Sequence, residues 1–364
     1  MINTNSMYVH IPFCQNICTY CDFTKLFYSI AYEEKYLSAL FKEIKEENPN
    51  KCKTIYIGGG TPSVLTEKGL DSLLSFLSSY LSEDYQEFSI EVNPETINEE
   101  KIALFKKYNI NRVSIGIQSF NPAILTLLGR KHTITDIKKC VELLKKHELN
   151  NYSFDLMYGI SGMSVSCVKK DLKQAFKFEP KHISYYSLIL EDNTCLKAKK
   201  YQELDENMVV KQHKCLQKIL KRNGYIQYEV SNYCKNGYES CHNLVYWENK
   251  EYYGFGLGAS GYVNGVRYIN TKNLTKYLNG ILERQSEPVD NQDLQIEYIM
   301  LGLRLNKGIS LSEYNEKFNL DLESQKKEEI AQLKKQGLIK IVDDRLFTTE
   351  KGMLLLNIVT LKLI

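Results

Sequence analysis

A chain of 364 residues with 43% hydrophobic and 25% charged side chains is too long for one small core and suits one large domain with a smaller appendage. A net charge of +3, with lysines and glutamates interspersed rather than blocked, leaves no electrostatic footprint for nucleic acid. No stretch approaches the ~20 apolar residues of a membrane span, and MINTNSMYVHIPFC lacks the marks of an export signal, so a cytoplasmic location is expected.

Up to about position 261, short runs rich in Ile, Val, Tyr and Ser alternate with stretches of helical period, the pattern of repeated βα units around a parallel sheet. Strands are expected at 7–10, 54–57, 87–92, 112–117, 151–156 and 182–190. Between them, 33–46, 68–81, 99–108 and 134–147 carry apolar residues three and four apart and are expected as helices. In such an α/β architecture the C-terminal strand ends face the active site. Gly58 to Gly60, Asn93, Gln118 and Tyr158 fall just beyond those ends and are expected to line one mouth.

Near 283 the character changes. The polar segment ERQSEPVDNQ, with Pro288, reads as a linker or loop. Helical patterns at 294–305, 310–318 and 325–336 follow, then two short strands with Asp343 and Asp344 at their turn, then a last helix. That is the order of a winged helix. The acidic turn and the lack of a basic recognition helix point to a packing or gating appendage rather than a DNA reader. The expected division is 1–282 and 283–364.

Of ten cysteines, only Cys14, Cys18 and Cys21 are closely spaced, as C-x3-C-x2-C on a loop directly after the first expected strand. The other seven read as buried thiols. Three thiolates bind three corners of a four-iron cube, whereas closed ferredoxin-type clusters take four cysteines. An unfilled position on a metal is where a small molecule binds, so the spacing implies reactivity as well as iron. A zinc site would need a fourth ligand, and the one nearby candidate, His10, is pointed elsewhere by strand geometry. A redox pair of Cys18 and Cys21 would leave Cys14 without a role.

Over nearly its whole length the chain resembles the radical S-adenosylmethionine (SAM) proteins, specifically the oxygen-independent coproporphyrinogen III oxidase-like (HemN/HemW) family. The resemblance implies a partial (β/α)6 barrel and a mostly helical, winged-helix-like C-terminal domain. It also implies a 4Fe-4S cluster on the three cysteines, with SAM chelating the fourth iron. Tyr8, in YVHIPFC, falls where the family contacts SAM, and Tyr20 falls near the adenine. Gly59, Gly60 and Thr61, in YIGGGTPS, match the glycine motif, whose backbone approaches the methionine amino group. Glu91 in SIEVNPET, Gln118 in SIGIQSF, Arg130 in LLGRKHT and Asp155 in FDLMYGISG match positions that contact the ribose hydroxyls and the charged methionine end.

Three features separate the family's branches. Oxidases of the family usually carry a fourth cysteine two places after the third, where this chain has Phe23. They also carry an extension of several tens of residues before the cysteine loop, and only 13 residues precede Cys14 here. The stretch CHNLVYW carries the HNxxYW pattern of the chaperone branch, with His242 expected as an axial heme ligand beside Trp247, the single tryptophan. The family often has a histidine soon after the final GxGA, whereas Ser260 and Gly261 follow Ala259 here. The resemblance therefore implies a heme chaperone with heme as cargo, acceptor hemoproteins and an electron donor as partners, and room for transient membrane association or a homodimer. The alternative is a coproporphyrinogen III dehydrogenase that decarboxylates propionates with SAM. No catalytic residue is assigned.

Overall fold

The computed structural model describes residues 4–364. Six strands, β1 Ser6–Ile11, β2 Thr54–Gly59, β3 Glu87–Val92, β4 Arg112–Gln118, β5 Tyr152–Tyr158 and β6 His182–Ser187, lie side by side in chain order. Every neighbouring pair is parallel. After each strand comes a helix: α1 Ile30–Glu47, α2 Glu67–Ser78, α3 Glu99–Lys107, α4 Ile134–Lys146, α5 Val165–Phe176 and α6 Glu206–Arg222. This is the partial (β/α)6 barrel expected from the sequence. Strand Tyr253–Phe255 adds in parallel to the free edge of β1, while Asn232–Cys234 and Ile226–Gln227 continue antiparallel from β6.

Strand alternation sorts the barrel. Ile55, Ile57, Phe88, Ile90, Val113, Ile115, Phe154 and Ile183 point outward into the apolar layer beneath the helices. The residues between them, such as Tyr56, Ser89, Ser114, Asp155 and Ser184, face a polar interior cavity. Helix starts are fixed by side-chain caps. Thr66 accepts from Gly69 N–H, Asn98 from Lys101 N–H and Ser164 from Cys167 N–H, and Thr133 forms a capping box with Asp136.

The segment expected as a linker is instead structured. Arg284–Pro288 is the third strand of a sheet with Ser260–Val263 and Val266–Asn270, pairing antiparallel with the latter, and Arg284 anchors its start by donating to Asn270 Oδ1 at 3.0 Å and to Glu47 at 2.7 Å. The buried carboxylate of Glu43 on α1 ties this sheet to the barrel. It accepts from Gly256 N–H at 3.0 Å, Asn270 Nδ2 at 2.7 Å and Tyr277 Oη at 2.6 Å, with Arg284 at 3.6 Å.

The remaining chain has its own core, running from Ile299 to Leu363. Four of its helices are α8 Asn291–Gly302, α9 Leu311–Phe318, α10 Lys327–Lys335 and α11 Leu356–Leu363. They pack with the hairpin Ile339–Val342 and Arg345–Thr348, a winged-helix arrangement. Asp344 of the acidic turn accepts from Ser312 N–H at 2.9 Å and Ser312 Oγ at 2.6 Å, so this acid fastens the hairpin to the start of α9. Among the described residues no helix is long and apolar enough to cross a membrane.

Removing the Glu43 carboxylate strands the buried donors Gly256 N–H and Tyr277 Oη and takes one of several acceptors from Asn270, while Arg284 keeps Glu47. Glu43→Ala is expected to cost about 3–5 kcal/mol in urea denaturation. An unchanged midpoint would show that the clamp does not hold the hairpin sheet.

Candidate cluster and cofactor site

The inward faces of β2 to β6 and the loop after β1 enclose a cavity of about 480 Å³. Two hydrogen bonds fold that loop back on itself: Leu26 N–H to Pro12 O at 2.7 Å and Tyr28 N–H to Cys14 O at 2.9 Å. Cys14, Cys18 and Cys21 are free thiols on this loop, and all three line the cavity. Burial pushes the Cys14 thiol up to about 11 and the Cys21 thiol upward, so the thiolates iron needs would form as metal binds.

The glycine motif sits against the loop. A Cβ on Gly60 would lie 2.8 Å from the Pro12 carbonyl and Phe13 O, and one on Gly59, whose φ is +115°, would lie 2.6 Å from the His10 ring. Only glycine allows both approaches. Thr61 Oγ1 lies 3.9 Å from Cys14 Sγ and accepts from Asn93 Nδ2 at 3.1 Å.

Beside the glycines stand two half-buried acids and a half-buried guanidinium. Glu91 accepts from Gly59 N–H at 3.1 Å and Tyr56 Oη at 2.8 Å. Burial, reinforced by the Asp155 carboxylate, pushes its carboxyl up to about 7. Asp155, also raised by burial, accepts from Ser114 Oγ at 2.9 Å. Arg130 donates to Asn93 Oδ1 at 2.8 Å, to Gly116 O, and toward Cys18 Sγ at 3.7 Å, while its Nε has no partner. Gln118 holds a φ of +65° at a register irregularity in β4, a backbone conformation that only its surroundings can sustain.

One cavity thus gathers Cys14, Cys18, Cys21, Tyr20, Gly59, Gly60 and Thr61 with Glu91, Gln118, Arg130 and Asp155. Gly58 falls outside the lining, and three further expected residues lie elsewhere. Tyr8 is outside the lining, its Oη sharing a hydrogen bond with His10 Nδ1 at 3.0 Å. Tyr158 is buried against His213 Nδ1 at 2.9 Å rather than at the mouth.

His242 is the third. It lies on α7, Cys241–Trp247, which closes the barrel floor opposite the cysteine loop. Contacts to the first residues of the strands hold α7 and its approach there: Thr54 Oγ1 with His242 Nδ1 at 2.9 Å, Cys241 N–H to Glu87 at 2.7 Å, and Arg112 to Tyr238 O at 3.1 Å. The other ring nitrogen of His242 bonds Tyr246 Oη at 2.8 Å, and burial brings the ring's pKa down to about 3. At 0% exposure and with both nitrogens engaged, His242 does not meet the expectation of an axial ligand. Trp247 faces away, lining a 310 Å³ cleft against the C-terminal domain with Arg304 over its ring at 5.3 Å.

Tyr56, Arg112 and His182 also line the cavity and were not singled out from the sequence, while Asn243 of the HNxxYW pattern does reach the lining. The period of two that places Ser114 and Gln118 inward also places Arg112, so that signal was present. Among the described residues no three His, Cys, Asp or Glu groups converge as a single metal ion requires. A four-iron cube is ligated at separate corners, so its thiolates need not converge.

Because Glu91 is raised from 4.5 to about 7, the folded chain keeps a proton that the unfolded chain releases. Stability should therefore fall as pH rises through that window, and Glu91→Gln should flatten the fall in melting temperature. Identical pH profiles would contradict the raised carboxyl. His242→Ala should cost roughly 2–4 kcal/mol through a cavity and two stranded hydroxyls. A wild-type denaturation midpoint would deny its place in the floor.

Residues 8–175 match the model of the radical SAM superfamily and residues 289–355 that of the HemN C-terminal domain. The chain is 39% identical over 356 residues to the heme chaperone HemW of Lactococcus lactis, covering 96% of this chain and 94% of that protein. It is 34% identical over 367 residues to heme chaperone HemW of Bacillus subtilis, covering 97% of each. The solved structure of coproporphyrinogen III oxidase (HemN) from Escherichia coli superposes with a TM-score of 0.86 at 20% identity, over 100% of this chain and 90% of that one, a likeness of fold. With such relatives aligned along nearly all of both chains, the chain belongs to the HemW family of the radical SAM superfamily.

Proposed function

We propose that the chain holds a 4Fe-4S cluster on Cys14, Cys18 and Cys21, takes SAM in the adjoining cavity, and carries heme to acceptor hemoproteins. The observation that carries this reading is the convergence of three free thiols, the Gly59–Gly60 cradle and the Glu91, Arg130 and Asp155 set on one cavity. The heme part rests on the relatives named heme chaperones. Membership of the radical SAM superfamily implies the cluster and SAM.

When bound, such a cluster supplies one electron and an iron corner open to the amino and carboxylate groups of SAM. The residues of this chain then bind and orient. The glycine backbone at 59 and 60 lets the methionine end come close beside the cysteine loop. Arg130, half-buried and with its buried Nε donor to spare, suits the methionine carboxylate. Glu91 and Asp155 offer paired acceptors for ribose hydroxyls, and Tyr20 and Gln118 complete the wall. The winged-helix unit, which we place after Pro288, touches the barrel through α7 and α8. An electron donor is required because the thiols bring none, and a cytoplasmic location fits free cysteines.

The competing oxidase reading is disfavoured by Phe23, 62% exposed where the oxidases carry a fourth cysteine. Protein purified anaerobically should take up heme in a Soret titration while leaving coproporphyrinogen III unchanged. Decarboxylated product at a catalytic rate would overturn the carrier reading. Cys14→Ala should abolish the broad visible iron-thiolate absorbance, and a retained spectrum would refute the cluster ligands.

A further inference from the structure

Below the residues assigned to SAM, the cavity continues to the strand starts, where Arg112, His182, Ser240 and Asn243 line its floor. Arg112 is 4% exposed. Its Nη1 donates to Tyr238 O at 3.1 Å and reaches Glu239 O at 3.5 Å, which fixes the guanidinium, while Nη2 has no partner. It forms no ion pair among the described residues. A guanidinium cannot shed its proton, so this is a buried charge with no carboxylate in contact, felt only at longer range by Asp155 across the cavity, and an anion seated against it would offset part of its desolvation.

His182, 2% exposed, supplies a second unused donor. Tyr228 Oη accepts from Ser240 N–H at 3.3 Å and lies 2.9 Å from His182 Nε2. With no other acceptor for its proton, Tyr228 donates to Nε2, which leaves the ring proton on Nδ1, and Nδ1 has no partner. The burial and the Arg112 charge that lower its pKa keep the ring neutral. Between these donors the walls carry the small hydroxyl side chains of Ser89, Ser114, Ser153 and Ser184, which leave room. Asp155 and Glu91 further up the same cavity disfavour a dianion such as phosphate.

We propose that Arg112 and His182 form a carboxylate-binding subsite at the floor of the barrel. The subsite stands on these donors alone. Its assignment to a propionate of the cargo rests on the heme reading above.

The test uses the full-length, cluster-loaded protein under anaerobic conditions. Sodium propionate at about 0.1 M, against sodium chloride of equal ionic strength, should raise the wild-type melting temperature by about 2 °C. It should leave Arg112→Gln unmoved. An equal response in both, or none in the wild type, overturns the subsite. His182→Phe, which removes one donor and keeps a ring, should shrink the shift, and a full shift there overturns the role of His182 even if Arg112→Gln fails to fold. Titration with heme and with heme dimethyl ester then identifies the source. About tenfold tighter binding of heme by the wild type, lost in Arg112→Gln, supports the cargo propionate. Heme bound no tighter than its ester overturns the cargo as the source. A propionate response without any heme uptake refutes the heme reading and leaves the subsite standing.

Discussion

Everything at the mouth of this barrel depends on one close approach, the backbone of Gly60 against the Pro12–Phe13 peptide, where a single added carbon would come within 2.8 Å. That contact sets the height of the cysteine loop over the end of β2. The loop's own hydrogen bonds, from Leu26 to Pro12 and from Tyr28 to Cys14, keep the three thiols on the cavity side. A β-carbon at either 59 or 60 would move the cradle away from the sulfurs, and the two halves of the site would no longer face one another.

The second constraint is the polar interior. A parallel barrel with an apolar exterior layer must still satisfy what it turns inward, and here it turns inward carboxylates, hydroxyls and guanidinium groups. Most find partners within the barrel: Glu91 with Tyr56 and Gly59, Asp155 with Ser114, Glu87 with Ser240 and Cys241. The exceptions, Arg130 Nε near the cluster loop and Arg112 Nη2 with His182 Nδ1 at the floor, mark where a ligand would be felt. The HNxxYW helix takes part in this as the floor itself, bonded through His242 to the first residue of β2.

Much of this was legible in the sequence because it is local. All six strands and the four helices expected between them are carried by period-two and period-3.6 patterns, and their observed ends differ from expectation by a few residues at most, with β6 stopping at Ser187 rather than near 190, while α5 was not among the expected helices. The cysteine spacing and glycine motif name their own chemistry, and the structure brings them to one cavity. What was not legible is long-range. The contact of His242 with Thr54 spans 188 positions, and no local pattern distinguishes a histidine that ligates from one that plugs a barrel. Arg284–Pro288 reads as a polar linker because its exposed residues show no apolar alternation, while the ion pairs that anchor Arg284 to Glu43 and Glu47 of α1 lie far upstream. Arg112 was hidden differently, since its strand was recognised but its inward phase was not followed to the floor.

The central claim is that three sulfurs leave one corner of an iron cube exposed to the cavity. Mössbauer spectroscopy of iron-enriched, reconstituted protein with and without SAM tests it most directly. The account predicts that one iron in four changes its signature when SAM is added, while the other three stay nearly as they were. Four irons that remain alike in the presence of SAM would contradict it.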